Sequence, residues 1–61
     1  MDRSNMTYDE YFKRGISKYS LQDHKGAIED YSEAIRLNPD YADAYNNRGI
    51  SKYSLQDFSG A

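Results

Sequence analysis

At 61 residues the chain has room for one small domain, close to the size limit for independent folding. It has no cysteine, which excludes disulfides and thiolate metal sites, and its net charge of -2 argues against nonspecific binding to nucleic acid or to anionic membranes. Mean hydropathy is -1.04, no run is long enough to span a membrane, and the opening "MDRSNMT" has no apolar core of a signal peptide. The expectation is a soluble, cytoplasmic chain with a thin core built largely from seven tyrosines.

In chain order, residues 1–7 read as a tail. Thr7 and Glu10 then fit a capping box, with Met6 and Tyr11 placed for a hydrophobic staple. Tyr8, Tyr11, Phe12, Gly15, Ile16 and Tyr19 follow at helical spacing, which predicts a first helix over Asp9–Leu21. Asp23 suits the N-cap of a second helix, His24–Leu37, with Ala27, Ile28, Tyr31, Ala34 and Ile35 on one face. Asn38-Pro39-Asp40 breaks the pattern: Pro39 disfavours helix at Asn38, and Asp40 is the expected cap of a third helix, Tyr41–Leu55. A fourth helix is expected to begin after Asp57, where only four residues remain.

The chain repeats itself. Tyr8–Ala27 aligned with Ala42–Ala61 gives fourteen identical pairs out of twenty at an offset of 34, including every residue of Arg14–Asp23 and Arg48–Asp57. A fixed period of this length marks a helical array in which each unit buries its apolar face on a neighbour. The units divide as residues 8–41 and a truncated 42–61. Gly15 and Gly49 fall inside helices, where glycine costs about 1 kcal/mol against alanine. The expected compensation at both is close approach of a neighbouring helix; no glycine-rich phosphate loop follows a strand, and no strand is predicted.

These residues resemble the tetratricopeptide repeats, whose 34-residue pattern runs aromatic, Leu-Gly, Tyr, Ala, aromatic, Pro. Here it reads Tyr11, Arg14-Gly15, Lys18, Ala27, Tyr31, Ala34 and Pro39, then Tyr45, Arg48-Gly49, Lys52 and Ala61. The resemblance implies an all-α fold of antiparallel helix pairs, a fragment of a right-handed α-solenoid. The departures are Arg14 and Arg48 in place of Leu, and Lys18 and Lys52 in place of Tyr. They are read as structural ion-pair donors toward Glu29, Asp30 or Glu33, with Asp30 preferred; an anion-binding surface is the alternative.

The resemblance further implies that the first helix of each unit lines a concave, peptide-binding face. Its positions on this chain are Asp9, Phe12, Ile16, Tyr19 and Ser20 in the first unit. In the second they are Asp43, Asn46, Asn47, Ile50, Tyr53 and Ser54. One subset of the family grips the C-terminal carboxylate of chaperones with Lys, Asn and Arg side chains. The matching positions here are Phe12, Ile16 and Asn47, of which only the asparagine agrees, so that specificity is not carried over.

Nothing in the sequence assembles a catalytic or metal site. His24 is the single histidine, and its counterpart in the other copy is Phe58. Asp9, Glu10, Asp40 and Asp43 lie in first turns, where negative charge favours the helix dipole. Ser17, Ser20, Ser51 and Ser54 have no adjacent base. The expectation is therefore a non-catalytic module without metal or cofactor that binds a peptide or partner helix. The alternative is a structural or oligomerising repeat fragment, or a model chain for the repeat itself, with no ligand of its own. With no fourth helix to cover the third, Tyr45, Ile50, Tyr53, Leu55 and Phe58 are expected to be left open, and burying them predicts a homodimer centred on the third helix.

Overall fold

The computed structural model describes residues 6–60, with side chains described through residue 56. Three helices, α1 (Tyr8–Ser20), α2 (His24–Leu37) and α3 (Ala42–Gly60), account for almost all of the described residues, and none of those is in a strand. The second helix packs on both of the others. The molecule measures 43 × 24 × 13 Å, so its thin dimension is little more than one helix. That thinness explains why its fully covered side chains are mostly small: Ala27, Ala34, Ala44 and Ser51, with Tyr31 and Asp30 the large exceptions.

Local sequence sets the ends of the first two helices. Thr7 accepts from the Glu10 backbone N–H at 3.2 Å, and the Glu10 carboxylate accepts from the Thr7 N–H at 2.8 Å, completing the expected capping box. α1 runs one residue earlier than Asp9–Leu21 at both ends. It closes with a Schellman turn: the Gln22 N–H donates to the Tyr19 carbonyl at 2.9 Å and the Asp23 N–H to the Lys18 carbonyl at 2.8 Å. The residue that turns left-handed is Gln22, at φ 67°, where glycine is the usual choice. Asp23 then caps α2 by accepting from the Gly26 N–H at 3.0 Å. α2 spans the predicted residues at both ends.

The third helix departs from expectation at both ends. It starts at Ala42, not Tyr41, so Tyr41 and not Asp40 directly precedes it. The Tyr41 carbonyl accepts from Ala44 and Tyr45, and the Tyr41 N–H closes the turn on Asn38 at 3.0 Å. Tyr41 is held out of the helix in an aromatic cluster: its ring lies 5.4 Å from Tyr8 and 4.8 Å from Phe12. At the other end α3 continues through Gly60, and no turn interrupts it after Asp57. The decapeptide RGISKYSLQD thus ends a helix at 14–23 and stays inside one at 48–57. In the first copy α2 packs back against α1. In the second, among the described residues, no helix follows to fold back on α3.

Candidate functional site

The centre of the molecule is Tyr31, only 2% exposed, on the middle helix. Its ring lies against Gly15 of α1, where an added Cβ would sit 2.6 Å from the Tyr31 Cε1. Phe12 packs beside it at 5.7 Å between ring centres. The hydroxyl end of Tyr31 faces the side-chain amide of Asn47 on α3. Burial pushes its pKa up, and the nearby Asn47 amide offsets part of that shift. One side chain therefore contacts all three helices. Gly15 meets the close-approach expectation; Gly49 does not, having nothing within 4 Å of its would-be Cβ.

Beside Tyr31, the charged groups divide in the same way between the copies. The Arg14 Nε and Nη2 each donate to the Asp30 carboxylate at 2.9 Å, a bidentate pair, and the Lys18 Nζ reaches the same carboxylate at 3.3 Å. Asp30 is 3% exposed. Burial pushes its carboxyl up, but the Arg14 and Lys18 hydrogen bonds and charges outweigh it and hold it below the ordinary carboxylate value. The Arg14 guanidinium is raised in return, chiefly by the Asp30 hydrogen bond. In the second copy Arg48 Nη1 donates to Ser32 Oγ at 3.2 Å, and Lys52 has no carboxylate partner among the described residues.

Over Tyr31 lies an apolar recess of about 280 Å³ lined by Ile16 and Tyr19 from α1, Tyr31 from α2, and Asn47 and Ile50 from α3. Four of these are concave-face residues of the sequence reading; Tyr31 is the addition. The sequence places it as an ordinary member of the α2 apolar face and sets the small residues Ala27 and Ala34 against the helical glycines, whereas at Gly15 it is the Tyr31 ring that fills the space. Ile16, Tyr19 and Ile50 are each more than a third exposed, so the recess has an apolar, accessible wall on both sides.

The remaining candidates lie elsewhere. Phe12 is half-buried in the aromatic cluster with Tyr31 and Tyr41. Asp9 is exposed and paired with Lys13 at 3.2 Å. Ser20, Asp43 and Asn46 are exposed and Ser54 half-buried, none of them lining the recess. Tyr45 and Tyr53 are exposed at 46% and 71%. Leu55, also exposed, lines a second recess with Gln22, Asp23, His24 and Lys25 at the α1–α2 turn. The Phe58 side chain lies outside the described residues.

His24 stacks edge-on against Tyr19 at 5.0 Å. Among the described residues no group of three His, Cys, Asp or Glu side chains could hold a metal ion, and no helix is long and apolar enough to cross a membrane.

Among curated proteins and among solved structures, none matches the chain significantly. A family model described as TPR repeat matches residues 15–56, a span that takes in nine residues of each copy of the decapeptide, all of α2 and most of α3. With its three helices, its 34-residue period and that match, the chain belongs to the tetratricopeptide repeat family, whose members are in general protein–protein interaction modules.

Proposed function

We propose that the chain is a non-catalytic binding module that takes an apolar side chain of an extended peptide or partner helix into the recess between α1 and α3. The observation that carries this reading is the recess itself: Ile16 and Tyr19 face Ile50 across the buried ring of Tyr31. Its volume is near the lower bound for small-ligand pockets, a size suited to one large anchor residue and not to a whole cofactor. Asn47 is the polar group of the lining, and its amide can bond a ligand's backbone. Exposed Asn46 and Ser20 and half-buried Ser54 are candidates for the flanking polar contacts, with Asp9, Asp43 and Tyr53 as further members of the same face.

Display of a random peptide library against the chain tests this. The expected result is a reproducible preference for one bulky apolar residue, with Ile50→Asp weakening the selected peptides at least tenfold while the helical signal is kept. Selected peptides indifferent to Ile50→Asp would contradict the reading.

Self-association through α3 is a second reading, supported by the exposure of Tyr45, Ile50 and Tyr53 on that helix. Sedimentation from micromolar to millimolar concentration distinguishes it: a dimer at the upper end supports it, and a monomer throughout overturns it.

A further inference from the structure

An arginine fastens α2 to each of its neighbours, and in both cases the partner lies 16 residues away along the chain. On the α1 side Arg14 makes two bonds of 2.9 Å to the Asp30 carboxylate. On the α3 side its repeat equivalent, Arg48, makes one bond of 3.2 Å, from Nη1 to the Ser32 hydroxyl. The acceptor is an anion on one side of α2 and a neutral group on the other.

The Ser32–Arg48 contact lies at an edge, since both residues are half-buried. The Tyr45 ring steadies Arg48 at 5.5 Å. One turn after Ser32 stands Arg36, exposed and bonded to Glu33 at 3.0 Å. Glu29, nearly one turn before Ser32, is an acid on the same side of α2.

We propose that Ser32 is a phosphorylation site and that its phosphate locks α3 onto α2. A serine kinase transfers the γ-phosphoryl group of ATP to the Ser32 Oγ. The Oγ–P bond forms, the bond from that phosphorus to the β-phosphate oxygen breaks, ADP leaves, and the hydroxyl proton passes to the kinase's base. The product carries close to two negative charges and three acceptor oxygens in place of one hydroxyl. Arg48 then makes a charge-assisted bond, as Arg14 does with Asp30, and Arg36 stands at the i+4 spacing that favours an acid before a base. The two arginines outweigh the opposing charge of Glu29. The flanking sequence gives the class of kinase. Glu29 and Asp30 stand third and second before Ser32, and no other serine of the chain is preceded by acids at both places. The kinase is one that reads acids N-terminal to its target. It acts when α2 opens locally, and the phosphate tightens the helix pair once α2 recloses. Neither Ser32 nor Arg48 lines the α1–α3 recess, so the proposal does not rest on peptide binding there.

The test uses the full chain synthesised with phosphoserine at position 32. Its thermal midpoint should lie about 4 °C or more above that of the parent. Arg48→Gln in the phosphorylated chain should erase that gain. A phosphorus NMR titration should place the second ionisation of the phosphate below its ordinary value of about 6, and Arg48→Gln should return it to that value. Incubated with ATP and an acid-directed, casein-type kinase, the parent chain should take up phosphate at Ser32, located by fragment mass spectrometry. A midpoint unchanged or lowered by the phosphate overturns the proposal. So does a gain that survives Arg48→Gln, an ordinary phosphate ionisation, or the absence of phosphate from Ser32 after the kinase reaction.

Discussion

The Tyr31 ring lies so close to α1 that Gly15 has no room for a side chain: a Cβ there would stand 2.6 Å from Cε1. The ring has little freedom to retreat, since Phe12 packs beside it and it is almost wholly buried. Gly49 carries the same ten-residue neighbourhood and meets nothing. Two identical stretches of sequence thus place the same residue in opposite environments.

Gly15→Ala and Gly49→Ala should therefore change stability with opposite signs. At Gly15 an overpacking strain of about 1–3 kcal/mol competes with a gain in helix propensity of about 1 kcal/mol, and the strain prevails because the neighbour is a buried ring. At Gly49 only the propensity gain acts, so stability rises by about 0.5–1 kcal/mol. Urea denaturation followed by circular dichroism reads both. A gain at both positions would show that Tyr31 is not held against α1.

The Asp30 carboxylate makes stability depend on acid. Its folded pKa lies below the ordinary value of 3.8, so the ion pair contributes fully above that value and is lost as pH falls through the folded pKa. Asp30→Asn should cost about 1–3 kcal/mol at neutral pH, because a charged, bidentate bond is replaced by a weaker neutral one. The difference from the parent chain should shrink steadily below pH 3.8. Thermal midpoints of both chains across the acid range check this, and a constant difference would contradict it.

Gln22 tests the turn. A non-glycine residue in the left-handed region is strained by about 1–2 kcal/mol, part of which glycine forfeits through its freer unfolded state. Gln22→Gly should then stabilise by about 0.5–1 kcal/mol, whereas Gln56→Gly, inside α3, should destabilise by up to about 1 kcal/mol. Equal effects at the two glutamines, read by the same urea titration, would mean that the repeated decapeptide does not adopt two conformations.

The pair Gln22 and Gln56 also marks the limit of what sequence reveals. Capping by Thr7, Glu10 and Asp23 was legible because each acts within three residues, as was the α2 span. The end of α3 was not. The same letters turn where α2 folds back and continue where no helix does, so the deciding contacts are tertiary. Tyr41 escaped notice as a cap-position residue for a similar reason, since its place is set by Tyr8 and Phe12. Of the recess, Ile16, Tyr19, Asn47 and Ile50 came from the family pattern; Tyr31 needed the geometry of Gly15.

Ser51 is wholly buried, and its hydroxyl has no hydrogen-bond partner among the described residues. Ser51→Ala removes an unpaired polar group and improves helix propensity, so it should stabilise the fold by about 1 kcal/mol. A loss of stability on that substitution would reveal a bond that the folded chain forms in solution.

The recess over Tyr31 is the centre of the functional reading, and methyl NMR of Ile16 and Ile50 addresses it most directly. On titration with a peptide selected from a random library, both isoleucine methyls should shift together and saturate with the same affinity. Asn47→Ala should weaken that affinity. Saturable binding that leaves both methyls unmoved would contradict the claim.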